Sequence, residues 1–410
     1  MLIGPWMPFL VGCLGRAAVV LTMLFWVEGI IFGIAPQQLK AAVFWSAAAF
    51  AAYGFVRQIV DGAIAGQTPD MRVTTEKGAF CGDGAPWAAA GMRGWREAME
   101  DKHVAQMLDP RVFPDVALFA VLDGHGGKEV SALAHRLLPA EVEACGREQL
   151  RGSKKEGLEP CLEQALREAL PRLDAKLRGG PAWAALGRLL PSFLHPFGAC
   201  GSTACVTAVD FGKREVLCAN IGDSRAILAQ GGKAVALSED HKPENPGERA
   251  RIQGAGGKVI KVGPCHRVDG NLNLSRALGD FNLKANFELP PEKQRVIAFP
   301  DTKRSPFNGG PQELLIVACD GLFERLSNQD LVDFIWPLLR QGKALEHIAQ
   351  ELLHKCCARG SRGRPVEEGT DNETVILVRL PPAPRAAAKP GAPVETEEEE
   401  EEETDDDAPL

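Results

Sequence analysis

Three features are missing from this 410-residue sequence. None of its eleven cysteines forms a Cys-x-x-Cys pair, so it shows neither a zinc ribbon nor a thioredoxin-type redox centre. No Gly-x-x-x-x-Gly-Lys-Ser/Thr phosphate loop is present, and the glycine-rich 254-GAGGKV-259 lacks full Gly-x-Gly-x-x-Gly spacing after a strand; both argue against a nucleotide-binding enzyme. No dense basic stripe occurs, so a nucleic-acid partner is not expected. The formal charge of −8 is misleading on this point. Residues 395–407 (ETEEEEEEETDDD) carry eleven acids and no base, which leaves about +3 (−8 + 11) for the remainder. The odd, scattered cysteines predict buried free thiols in a reducing compartment.

Apolar content of 45% and charged content of 24% describe a mostly globular chain. The first sixty residues stand apart. Two apolar runs, 17-AAVVLTMLFWVEGIIFGIA-35 and 41-AAVFWSAAAFAAYGFV-56, flank the turn PQQLK. They predict an N-terminal hydrophobic helical hairpin associated with a membrane through residues 17–56, with Arg16 and Arg57 on the cytosolic side. A cleaved organelle-targeting or secretory presequence and a buried soluble helical pair are the alternatives, and Glu28 weakens the membrane reading. Residues 61–78 read as a linker, 79–380 as the compact domain, and 381–410 as a disordered Pro/Ala-rich and acidic tail.

Within 79–380, strand-like apolar runs recur at Ala117–Leu122, Ala204–Asp210, Glu215–Asn220, Ala226–Ala229, Glu313–Cys319 and Thr374–Leu380. DFGKRE and AQGGKA suit hairpin turns between them. Helical stretches alternate with these runs. Leucines in 158–177 keep i+3/i+4 spacing, with Pro171 expected to bend or split that helix. Ser327 with Asp330 three places on predicts a capped helix start, and 344–360 reads as an amphipathic helix stopping at Gly360. Hairpins mixed with helices predict an α+β fold with an antiparallel sheet core and helices outside.

Acidic motifs recur at the ends of the apolar runs: 94-GWREAMED-101, 123-DGHGG-127, 222-GDSR-225, 279-GD-280, 320-DG-321 and 371-DN-372. Strand ends of one sheet share a rim, so Asp123, Asp223 and Asp320 can converge there. Gathered carboxylates repel unless a cation neutralises them, and oxygen ligands without histidine or thiolate clusters suit Mg²⁺ or Mn²⁺. Singly, each motif reads as a turn.

Taken in order, GMRGWREAMED, FAVLDGHGG, GSTACVTAV, CANIGDSRAIL, DHKP, RVDGNLNLSRALGD, LLIVACDGLFERLSNQDL and GTDNETVILV resemble the type 2C metal-dependent serine/threonine protein phosphatases over residues 91–380. The resemblance implies a central antiparallel β-sandwich flanked by helices on both faces, a four-layer αββα arrangement with its metal centre at one end. It implies two Mg²⁺ or Mn²⁺ ions, with a third, weaker one. Asp123 would bridge the pair, Asp320 and Asp371 would ligate one ion, and Glu100 and the Gly124 carbonyl the other. Asp101 would act through water, and Asp223 would serve the weaker ion. Arg96 would grip phosphate, His125 would act as general acid, and Asn372 would help order the site. The implied partners are phosphoproteins and the expected chain is monomeric. The alternative is a pseudophosphatase that binds without turnover. Three features depart from the family pattern. Glu324 stands where the family usually has aspartate, residues 179–200 look like an apolar insertion, and the loop SRGRPVEEG is somewhat long.

Overall fold

Strand β4 (Val116–Leu122, VALFAVL) is buried at every position. A strand of an antiparallel sheet normally alternates between core and solvent; one that does not is covered on both faces. That is the case here. Ala117, Phe119 and Val121 join one hydrophobic core, while Leu118, Ala120 and Leu122 join a second on the opposite face. The period of two thus distributes a single strand between two cores.

The computed structural model describes residues 69–80, 84–152, 160–179, 195, 197–310, 313–361, 364–365 and 368–382. β4 belongs to a five-stranded sheet ordered β14 (Asp301–Pro306), β8 (Glu215–Ile221), β7 (Ala204–Asp210), β4, β3 (Lys102–Met107). The sheet facing it has six strands, ordered β1 (Asp70–Phe80), β2 (Ala85–Gly94), β18 (Glu373–Arg379), β15 (Glu313–Ala318), β9 (Arg225–Gln230), β10 (Lys233–Ala236). Every pairing in both sheets is antiparallel. Helices α1 (Glu129–Gly152) and α2 (Leu162–Leu177) pack outside the five-stranded sheet. A short α3 (Pro246–Gly254) follows β10, α4 (Asp320–Phe323) follows β15, and α5 (Asn328–Arg340) and α6 (Leu345–Cys356) pack outside the six-stranded sheet. The described residues therefore form helix, sheet, sheet and helix layers. Smaller pieces complete them: β5 (Gly124–His125), β6 (Gly201–Ser202) and β13 (Leu278–Gly279) in one sheet, and the hairpins β11 (Val259–Val262)/β12 (Cys265–Val268) and β16 (Gly360–Ser361)/β17 (Arg364–Pro365).

Several expectations need correction. Asp70–Gly78, inside the stretch read as a linker, forms most of edge strand β1, paired from Asp70 opposite Gly94 to Phe80 opposite Ala85. Its mostly exposed residues gave no apolar signal. Helix α2 runs unbroken through Pro171; its buried side, Ala165, Leu166, Ala169, Leu170, Leu173 and Leu177, holds it to the sheet. Helix α6 ends at Cys356, short of Gly360. Cys357 turns extended because tertiary bonds capture the chain: the Ala358 amide donates to Gly369 O at 2.7 Å, and Trp95 Nε1 donates to Ala358 O at 2.9 Å. The Ser327/Asp330 capping box forms as expected. All nine described cysteines are free, seven of them buried. The apolar runs at 17–35 and 41–56, the tail from 383 onward and most of the 179–200 insertion lie outside the described residues. Among the described residues no helix is long and apolar enough to cross a membrane.

Candidate metal centre

Antiparallel pairing brings distant acids to one rim. β3 runs against β4, so the start of β3 lies beside the end of β4, with Lys102 opposite Leu122. Asp101 precedes one and Asp123 follows the other. β8 runs in the same direction as β4 across β7 and ends just before Gly222–Asp223. In the facing sheet β15 ends just before Cys319–Asp320, and its antiparallel neighbour β18 begins just after Asp371–Asn372. One carboxylate oxygen from each of Asp123, Asp223 and Asp320 lies within 4.8 Å of the other two. Asp371 stands outside that trio and forms an ion pair with Arg96 Nη2.

The charges act on one another. Burial first, then Asp101, Asp320, Asp371 and Asp223, hold the Asp123 carboxyl well above the usual carboxylate range. Asp320 is raised by burial and then by Asp223 and Asp371. Burial pushes Asp101 up to about 7, against a hydrogen bond from Thr374 Oγ1 at 2.8 Å. Glu100 is raised, chiefly by burial. Burial alone would lower the Arg96 pKa, but Asp371, Asp123 and Asp320 raise it overall. A divalent cation among these oxygens would relieve this repulsion.

The donor set fits such an ion. Neither His nor Cys joins the trio, which leaves hard oxygen ligands. Asp101 Oδ1 is buried without a hydrogen-bond partner, as expected of an oxygen whose partner is an ion or its water. Gly124 lies so close to Glu100 O that a Cβ would sit 2.5 Å from it, which brings these two predicted ligands together. Ser131 Oγ also donates to Glu100 O.

The supports come from the motifs between the acids. The Thr203 amide donates to Asp123 O at 2.8 Å, and the Asp123 amide donates to Thr203 Oγ1 at 3.1 Å. This is what the GSTA segment contributes. Asn372 Oδ1 accepts from the Glu100 amide at 2.8 Å, while its Nδ2 donates to Arg93 O at 2.9 Å and Ala98 O at 3.0 Å. One amide therefore fixes the loop carrying Arg96 and Glu100. Arg93 Nη1 adds a bond to Arg96 O at 2.5 Å.

Three partners were not assigned from the sequence. His125 Nε2 meets Asp280 Oδ2 at 2.7 Å. Gly201 leaves the space for that contact, since a Cβ there would lie 2.2 Å from Asp280 Oδ2 and 2.5 Å from His125 Nε2. Burial would lower the His125 pKa, but Asp280, with Asp223 and Glu100, raises it overall. Lys242 forms an ion pair with Asp223. His241 Nδ1 accepts from the Gly222 amide at 3.1 Å, so its Nε2–H donates to Asp301 Oδ2 at 3.1 Å. The strings GD and DHKP contained all three without indicating their targets. Glu324 is not in the acidic trio; its Oε2 accepts from the Gly369 amide at 3.0 Å and steadies the loop before Asp371.

Known proteins resemble this chain over most of the described residues. The Protein phosphatase 2C family model matches residues 87–364. The chain is 35% identical over 296 residues to protein phosphatase 2C homolog 2 of Saccharomyces cerevisiae, covering 70% of this chain and 57% of that protein. It is 36% identical over 294 residues to the probable protein phosphatase 2C 6 of Paramecium tetraurelia, covering 72% and 92%. Among solved structures, a phosphatase from a pathogenic strain of Toxoplasma gondii superposes with a TM-score of 0.57 at 25% identity, covering 75% of this chain and 96% of that one.

Proposed function

The chain belongs to the protein phosphatase 2C family of metal-dependent protein serine/threonine phosphatases, and from that premise we propose that it hydrolyses phosphoserine and phosphothreonine in proteins at the Asp123 rim, with two divalent cations. The observation that carries this reading is the all-oxygen trio of Asp123, Asp223 and Asp320, with Arg96 and His125 beside it.

Asp123, Asp320 and Asp371 would hold one ion, and Asp123, Glu100 and the Gly124 carbonyl the other. Asp101 would act through water and Asp223 would serve a weaker third site. Bound there, Mg²⁺ or Mn²⁺ supplies a water acidified towards neutrality and charge to offset the phosphoryl oxygens.

The chain's own groups have distinct tasks. Arg96 is half exposed and held at one nitrogen by Asp371, so its planar fork can take two phosphoryl oxygens from solvent. Anchoring by Asn372 keeps that fork in register with the acids. The Ser or Thr alkoxide is a poor leaving group and needs a proton. His125, kept protonated by Asp280, delivers it. No cysteine nucleophile is required, so hydrolysis is direct. Nothing in the geometry favours a binding-only protein, because every expected acid is present.

The test is turnover of a phosphothreonine peptide with Mn²⁺. Activity should vanish in EDTA and fall at least about 100-fold in Asp123→Asn/Asp320→Asn, since even outer-shell changes at metal sites cost about 10–100-fold. Undiminished turnover in either case would refute the assignment.

A further inference from the structure

Asp280 meets His125 from an uncommon stretch of backbone. Its φ of 50° lies in the left-handed region, and Gly279 before it has a φ of 76°. Positive φ values in succession persist where the surrounding structure over-determines them. One side of this turn is pressed against the segment leading into β6. A Cβ at Gly279 would lie 2.4 Å from Cys200 O, and the Asp280 amide donates to that same carbonyl at 3.0 Å.

The other side rests on α2. Asp174, in the last turn of that helix, accepts on Oδ1 from the Gly279 amide at 2.8 Å and from Lys284 Nζ at 2.7 Å. Lys284 closes the 3₁₀ turn Phe281–Lys284, is buried, and also donates to Ala277 O at 2.8 Å. Arg178, one turn beyond Asp174, donates to Lys284 O at 2.9 Å and stands 5.0 Å over the Phe281 ring. The Asp174–Lys284 pair is thus tied to the backbone before Asp280, and Lys284 itself follows it. A buried ion pair contributes little net stability, because desolvating two charges offsets their attraction. What this pair fixes is the shape of residues 277–284.

We propose that Asp174 and Lys284 are positioning residues for the hydrolysis: they hold the turn that aims the Asp280 carboxylate at His125 Nε2, and so aim the imidazole at the leaving oxygen. This inference rests on the hydrolytic reading above. In that reaction water adds to phosphorus, and the bond from phosphorus to the Ser or Thr oxygen breaks. The imidazolium proton passes to that oxygen, giving the alcohol and inorganic phosphate, and the proton released from the water restores the imidazolium through solvent. A misaimed imidazole therefore costs turnover only where the departing oxygen needs a proton. An alkoxide needs one, whereas p-nitrophenolate leaves without it.

The experiment uses the full chain with Mn²⁺ and two substrates, a phosphothreonine peptide and p-nitrophenyl phosphate. Two variants remove the pair without leaving one charge buried alone. Asp174→Asn/Lys284→Met keeps the shape and a weaker, neutral acceptor for the Gly279 amide; Asp174→Leu/Lys284→Met removes that acceptor. On the peptide, kcat should fall at least about threefold in the first and about tenfold in the second with KM unchanged, while p-nitrophenyl phosphate turnover stays within about twofold of the parent. If the second variant does not fold, the first carries the same test. A further readout needs no turnover: in proton NMR of the full chain with isotope-labelled histidine, the hydrogen-bonded Nε2–H of His125, identified by its absence from His125→Gln, should be lost or moved upfield in both variants. Equal losses on the two substrates, an unchanged peptide kcat, or an unmoved His125 signal overturns the proposal. A parent inactive on both substrates sinks the hydrolytic reading, whereas the His125 signal alone reports on the aim.

Discussion

Glu373 allows a sharp test of the electrostatics behind the rim. It opens β18, is fully buried, and neither carboxyl oxygen finds a hydrogen-bond partner. Burial pushes its pKa up to about 9. Arg325 pulls it down, while Glu324, Asp371 and Asp101 add to the rise. The unfolded chain would lose this proton near the ordinary glutamate value of 4.5. Between those two values the folded state binds the proton and the unfolded state does not, so stability is greatest at low pH and falls as pH rises. At about 1.36 kcal/mol per pH unit, the loss from pH 5.5 to 8.0 is roughly 3 kcal/mol from this one group. Glu373→Gln copies the neutral acid. It should match the parent only below about pH 4.5, and its advantage should grow by roughly 3 kcal/mol between pH 5.5 and 8.0, a rise of several degrees in thermal midpoint for a domain this size. Thermal unfolding of both proteins across that range measures the difference. Asp101, Asp123 and Asp320 slope the same way, but they are common to both proteins and drop out. Parallel profiles at all pH values would refute the claim that Glu373 is buried as an acid.

Asn372→Ala removes three hydrogen bonds and leaves the Glu100 amide and two carbonyls without this partner; chemical denaturation should show a loss of about 2–4 kcal/mol, with a raised KM for phosphopeptide as Arg96 loosens. Asp280→Asn removes the charge that raises the His125 pKa, so the alkaline limb of kcat against pH should move to lower pH; an unmoved limb excludes His125 as the acid. Ser327→Ala breaks the α5 capping box at a cost of about 1 kcal/mol in denaturant unfolding, with kinetic constants unchanged.

The site was more legible in the sequence than the sheets that carry it. The convergence of Asp123, Asp223 and Asp320 could be anticipated because each comes at or just after the end of a mostly apolar strand, where an acid stands out. Strands β1, β2 and β14 gave no such signal. β2 reads APWAAAGMRG, and alanine carries no strand preference; its structure comes from β1 and β18 on either side. β1 and β14 are mostly exposed edges whose pairing depends on neighbours distant in the chain. Asp280 illustrates the limit for side chains. The letters GD announce an acid, but its place against His125 depends on β5, β6 and β13 meeting, which no local pattern encodes.

The course of the chain through these sheets gives the molecule a front and a back. It enters through β1, whose Asp70 sits opposite Gly94 and pairs with Arg93 at 3.4 Å, two residues from Trp95 and three from Arg96. It leaves at the other pole, beside Arg214. Residues before 69 therefore join the described body on the side of Arg96 and the acidic rim. A bulky fusion partner placed ahead of Asp70 would crowd that side.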